Sequence, residues 1–246
     1  MKNFTFLALI AIALTSCTNE LKSDTKTYTK KTTLPCTDNC PKVEFKIPEY
    51  SNGEASDSIN ANIFKALREI VQFGEDQYKV NDYQALANAF VASYEEMQKE
   101  ESEREFGWEA TVTGKEIYRS DKLLNVELES YTFTGGAHGY GSKRSMLFDI
   151  ETGKHVPNDK LFKDMNAFQT FAESKFRAKY KIPAPAPINS KGFMFEDEKF
   201  ALPMNIFFTN SGLLLHYNPY EIASYAEGSL ELLLPYTEVD KFLAVK

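Results

Sequence analysis

Histidine, cysteine and tryptophan are scarce in this 246-residue chain, with three, three and one copies. His138, His155 and His216 show no H-x-x-x-H or H-x-H spacing, so no metal site is read from them. A serine nucleophile on a sharp elbow needs a pattern such as G-x-S-x-G, and the chain has none. Beyond the first sixteen residues no apolar run approaches the ~20 residues of a membrane-spanning helix, so no further span is expected. Positive charge is the minority sign: 28 Lys and Arg stand against 35 Asp and Glu, for a net charge of −7. An acidic surface disfavours nucleic acid and anionic lipid headgroups. It suits a basic partner, through steering more than through affinity. No cofactor, metal or nucleic acid is expected.

What is present begins with delivery. Met1-Lys2-Asn3 is a short basic start, and Phe4 to Leu14 is an apolar run of signal-peptide length. Leu14-Thr15-Ser16-Cys17 resembles the lipobox of bacterial lipoproteins. Residues 1–16 are therefore expected to be removed and Cys17 to carry acyl chains, palmitate among them. Each methylene buried in the bilayer contributes ~0.8 kcal/mol. The alternative is an ordinary signal peptide that leaves Cys17 a free thiol. The lipid reading makes the bilayer a partner and places the protein in the cell envelope, facing the periplasm or outside. Loss of residues 1–16, with one lysine and no acid, takes the charge to −8.

Residues 17–41 are polar, rich in Thr and Lys, and read as a tether. Cys36 and Cys40 lie within it, separated by Thr-Asp-Asn. A metal site would need four ligands, and a redox pair normally has a two-residue spacer and a following helix. A local disulfide is the expectation.

Folded structure is expected from residue 42. Val43, Phe45 and Ile47 alternate with charged residues, a half-buried strand ended by Pro48. Ser56 or Asp57 can cap a helix bearing Ile59, Ile63 and Leu67, and Asp82 a second bearing Leu86, Phe90 and Tyr94. The charged run Lys99 to Glu105 reads as a solvated helix end. Trp108 to Val112 and Leu124 to Leu128 alternate as strands; the phase break at Ser130 suggests a bulge. Residues 130–156 then read as strand, glycine turn, strand, Glu151-Thr-Gly-Lys turn, strand. Lys160 to Tyr180 has helical spacing, and Leu202 to Phe208 with Leu213 to Tyr217 form a hairpin. Leu230 to Leu234 make a last strand before a short helix. The class is α+β: a mainly antiparallel sheet with helices packed on it, in two intimately joined halves.

Two stretches carry a family resemblance. Val43 to Pro48, the helix at Ile59-Asn60 and Tyr131-Thr-Phe-Thr-Gly-Gly-Ala-His-Gly are similar to the extracytoplasmic front domain of the PdaC peptidoglycan deacetylases. Phe148-Asp-Ile-Glu-Thr-Gly-Lys, the helix at Leu161-Phe162, Asn218-Pro-Tyr-Glu-Ile-Ala-Ser-Tyr-Ala-Glu-Gly and Leu234-Pro-Tyr resemble the companion domain of unknown function, family 3298, of RsiV-like anti-sigma factors. On this basis residues 42–140 are a PdaC-like half and 141–246 an RsiV-like half. In those anti-sigma factors the pair is an outer receptor that binds lysozyme. The chain shows neither a sigma-binding segment nor a deacetylase domain, so neither activity is implied.

Candidate residues follow from the glycine turn and the tyrosine-rich link. Gly135, Gly136 and Gly139 let a partner approach the backbone, while Tyr131, His138 and Tyr140 offer contact area. The plainer alternative is that the glycines only satisfy positive φ and His138 bonds its own turn. Tyr217, Tyr220, Tyr225 and Tyr236 either line a groove for glycan or peptide or pack an edge. Of these, Tyr220 and Tyr225 join the binding set. His216 lies on a strand, facing away from Leu215 and Tyr217. Two functions are carried forward. One is a lipid-anchored binding module for a protein or cell-wall ligand, a basic lysozyme-like protein or peptidoglycan. The other is a cell-wall hydrolase or esterase using Glu196, Asp197 or His138.

Overall fold

The computed structural model of the protein describes residues 20–36, 39–75, 77–100 and 107–246. The expected signal peptide, Cys17 and the charged run beyond residue 100 lie outside the described residues.

Part of the expected tether is a strand. β1 (Lys22–Lys31) pairs antiparallel with β2 (Lys42–Ser51) along its whole length, Lys22 opposite Ser51 and Lys31 opposite Lys42. An edge strand needs only one neighbour's main chain, and its polar side chains stay in water, so it shows no apolar alternation. Tyr28 is its aromatic anchor: the ring stacks on Tyr83 at 5.2 Å and the hydroxyl donates to Glu49.

From β2 the chain crosses through α1 (Ser56–Ile70) and α2 (Tyr83–Glu100) to β3 (Glu109–Arg119), which pairs parallel with β2. Neither Ser56 nor Asp57 caps α1, because the helix starts at Ser56 itself. Asp82 does accept the Ala85 N–H at 2.7 Å ahead of α2. β4 (Leu123–Phe133) and β5 (Tyr140–Asp149) complete a sheet of order β1-β2-β3-β4-β5, antiparallel except for β2–β3. The bulge expected at Ser130 is instead a register shift between Glu116 and Tyr118 of β3. Ser130 stays opposite Ser142, with hydroxyl oxygens 2.9 Å apart. It is a paired polar residue on a buried face, which reads as a broken phase.

After β5 the Glu151-Thr-Gly-Lys turn closes, but its third strand shrinks to one bridge between Phe148 and His155. A 3-10 turn at Asn158–Lys160 precedes α3 (Met165–Lys179), which starts later than its apolar spacing suggests because Asp164 caps it. β6 (Asn205–Thr209), β7 (Gly212–Tyr217) and β8 (Leu230–Pro235) form a second antiparallel sheet, followed by α4 (Tyr236–Val239). β6 starts at Asn205, not Leu202. It is buried on both faces, and Met204 just before it is 75 % exposed.

The two cores share β4 and β5. Leu124, Val126, Leu128, Met146 and Phe148 join β2, β3, α1 and α2 in the first core. Leu123 and Leu147 point to the second, built on Phe176, Phe195, Phe200, Phe208 and Tyr217. β5, expected in the second half, is thus an edge strand of the first sheet. Tyr217 and Tyr236 belong to this packing and not to a groove: Tyr217 is buried and donates to Ala201 O, and Tyr236 stands against Tyr118. Fully burying a large apolar side chain such as Phe176 contributes roughly 1.5–3 kcal/mol.

Candidate functional site

β4 ends at Phe133 and β5 begins at Tyr140, so the glycine turn between them stands at one end of the first sheet. Gly135 and Gly136 have φ of +111° and +89°, the left-handed region that glycine reaches without strain. Gly139 is glycine for another reason: a Cβ there would lie 2.4 Å from the Tyr131 ring. His138 stands out exposed from this turn, its Nδ1 donating to Gly139 O at 2.9 Å.

The tyrosine-rich link after β7 meets the turn. Tyr225 stacks on His138 with centroids 3.9 Å apart and rings 16° from parallel, and its hydroxyl donates to Gly139 O at 3.0 Å. Tyr220 lies 5.4 Å from Tyr225, with its hydroxyl 3.5 Å from His138 Nε2. The Tyr140 hydroxyl donates to Pro219 O at 3.3 Å, and burial, then the Glu221 carboxylate, pushes it above its ordinary pKa. Tyr131, His138, Gly139, Tyr140, Tyr220 and Tyr225 are therefore one cluster; Gly135 and Gly136 shape its rim.

Tyr220 is 59 % exposed at φ +70°, a conformation that costs a non-glycine residue about 1–3 kcal/mol. Glu221 holds it there. One carboxylate oxygen accepts the Asn218 N–H and the other the Met204 N–H, both at 2.9 Å. Beside the cluster runs a cleft of about 470 Å³, lined by Glu129, Ser142, Lys143, Tyr225, Glu227 and Ser229 among others. Aromatic rings, carboxylates, one lysine and hydroxyls thus share one opening, suited to contact and hydrogen bonding.

The other named residues lie elsewhere. Glu196, Asp197 and Glu198 form an exposed 3-10 turn, and among the described residues no carboxylate bonds to His138. His155 is on the far turn by Phe148. Cys36 and Cys40 are bridged, with Cα atoms 5.6 Å apart. Among the described residues no group of three or more His, Cys, Asp or Glu could hold a metal ion, and no helix is long and apolar enough to cross a membrane.

Two residues of this region were placed by the sequence but given no bonding role. His216 is buried, with Nδ1 3.0 Å from Glu231 and Nε2 3.2 Å from Asn218 Oδ1. Asn218 in turn grips Lys143 of β5, which fixes the tyrosine link to the first sheet. Glu231 and Lys143 lie 15 and 75 positions from the residues they bond, and Lys143 is held by its main chain, so no local pattern marks these roles.

Residues 34–140 match the family model described as deacetylase PdaC, and residues 159–237 match that of a protein of unknown function, DUF3298. A solved DUF3298 family protein from Pseudomonas aeruginosa PAO1 aligns with TM-score 0.67 at 22 % identity, covering 93 % of this chain and 96 % of that one. A second, from Bacteroides fragilis NCTC 9343, aligns with TM-score 0.67 at 18 % identity over 92 % and 95 %. At these identities the likeness shows a shared α+β fold. No curated protein matches the chain.

Proposed function

We propose that this chain, in which a PdaC-type domain precedes a DUF3298 domain, is an envelope-associated binding module held to a membrane by lipid on Cys17. The observation that carries the binding reading is the aromatic cluster. Tyr220 is held outward in a costly conformation, and the His138–Tyr225 stack draws residues from both domains to one rim. Rigid, half-exposed aromatics beside a polar cleft supply contact area at little entropic cost. The ligand is a protein or cell-wall component. Its sharpest form is a basic, lysozyme-like protein, which the net charge of −7 would steer. Peptidoglycan is the alternative ligand, met by the carboxylates and hydroxyls of the cleft. The anchor reading rests on Leu14-Thr15-Ser16-Cys17.

The test is capture of lysozyme and of peptidoglycan fragments by the immobilised chain across a salt series. Capture of lysozyme that weakens with salt supports the basic-protein form, because exposed charge contacts are screened. Salt-insensitive capture of peptidoglycan supports the glycan form. Capture of neither removes the support for this ligand class.

A further inference from the structure

β1 uses up ten of the residues between the lipidation motif and the first core. Leu21, just before it, is buried, and its carbonyl accepts Arg119 Nη1 at 2.9 Å. Only Thr18, Asn19 and Glu20 then separate Cys17 from a residue fixed to the body. Four peptide steps reach at most about 14 Å. A lipid on Cys17 therefore sits on a short leash, and the leash leaves from a defined end of the sheet.

The register identifies that end. Lys22 lies opposite Ser51, Arg119 opposite Leu124, and Leu123 opposite Asp149. The turns at 52–55, 120–122 and 150–154 close the sheet there, around a cleft of about 700 Å³ that includes Glu20, Glu54, Asp121 and Glu151. At the opposite end Lys31 lies opposite Lys42, Lys42 opposite Glu109, Glu109 opposite Phe133 and Thr132 opposite Tyr140. The glycine turn and the His138–Tyr225 stack belong to this second end. Ten residues of strand separate the ends by about 30 Å.

We infer that the end formed by the turns at 52–55, 120–122 and 150–154 is a membrane-facing surface, and that β1 makes the body stand on the bilayer with the aromatic cluster pointing away from it. The partner of this surface is a zwitterionic lipid face, since Glu20, Glu54, Asp121 and Glu151 are interspersed there with Arg119, Lys122 and Lys154 and leave little net charge to select a charged headgroup. The inference rests on lipidation of Cys17, and a body hanging from a free 25-residue tether would have no such orientation.

The experiment uses the full acylated chain reconstituted into phosphatidylcholine vesicles that carry a headgroup energy acceptor. A donor dye is placed on Asp121→Cys in one sample and on Ala137→Cys in another; both positions are exposed. Transfer from residue 121 is expected to exceed that from residue 137 by at least about threefold, given the ~30 Å between the sheet ends. Flotation of the wild type and of Cys17→Ser with the same vesicles reports the anchor separately. A wild type that fails to float, or a Cys17→Ser chain that still floats, overturns the anchor and the orientation with it. Cys17-dependent flotation with equal transfer from both sites, or with stronger transfer from residue 137, leaves the anchor standing and overturns the orientation alone.

Discussion

Asn218 holds Lys143 by both atoms of its amide: Oδ1 accepts the Lys143 N–H at 2.8 Å and Nδ2 donates to the Lys143 carbonyl at 2.9 Å. The side chain acts as a strand of one residue, closing part of the outer edge of β5. Asn205 Oδ1 likewise accepts the Ser145 N–H at 3.0 Å and the Ser145 hydroxyl donates to Ile206 O, so polar side chains share in the link between the sheets. Replacing Asn218 with Leu leaves a half-buried N–H and C=O without these partners, at about 1–3 kcal/mol for each group left bare. Asn218→Leu is expected to lower the unfolding free energy by roughly 2–4 kcal/mol in urea denaturation. A loss under about 0.5 kcal/mol, the size of an ordinary surface change, would show that other contacts hold the link.

The cluster should behave differently. His138 and Tyr220 are exposed, and Tyr220 spends energy on its left-handed backbone. His138→Ala and Tyr220→Ala are each expected to change stability by no more than about 0.5 kcal/mol, as surface substitutions do. The same changes should weaken ligand capture at least about tenfold if these rings are central contacts. Circular dichroism melts and the capture assay, run on the same preparations, read the two effects. Unchanged capture in both variants would move the binding surface elsewhere.

How much of this was legible beforehand depends on where each signal lies. Val43, Phe45 and Ile47 show their strand because one face is apolar and the other charged. β1 shows nothing, because its pairing uses main chain and its side chains are almost all exposed. β6 breaks alternation for the opposite reason, with apolar residues on both faces. The aromatic cluster was half legible: the glycine turn and the tyrosine link were each visible. Their meeting joins His138 to Tyr220 across 82 positions, which no local spacing encodes. The bridging roles of Asn218 and His216 were silent, since an asparagine or histidine in a strand-rich segment reads the same whether it bridges two sheets or faces water.

Acid should loosen β1 through Glu95. One carboxylate oxygen accepts the Thr32 hydroxyl at 2.7 Å and the Thr33 N–H at 3.0 Å, holding the chain that leaves β1 against α2. The Thr32 hydroxyl first, then the Thr33 N–H, keep this carboxyl below its ordinary value of 4.5. A folded value below the unfolded one means stabilisation present above about pH 4.5 and lost as pH falls through the folded value. Hydrogen exchange at pH 7 and pH 3, corrected for intrinsic rates, should therefore show β1 amides losing protection in acid. Glu95→Ala should already be poorly protected at pH 7 and should change less with pH. Equal acid sensitivity in both chains would assign the effect to another group.

Gly153 and Gly192 separate two reasons for glycine. Both are left-handed, at φ +65° and +90°. A Cβ on Gly153 would lie 2.3 Å from Ala55 O, whereas one on Gly192 meets nothing within 4 Å. Gly192→Ala thus bears only the backbone term, about 1 kcal/mol or a little more. Gly153→Ala adds a collision with main chain that cannot swing aside. The collision falls at the turn where the Ser58 hydroxyl donates to Gly153 O at 2.8 Å, binding the start of α1 to the end of β5. Its cost should exceed that of Gly192→Ala by at least about 1 kcal/mol, a further drop of roughly 2–4 °C in melting temperature for a chain of this size. Equal losses would mean that the turn at 150–154 can shift away from Ala55. The sheet end around it would then be looser than its hydrogen bonds imply.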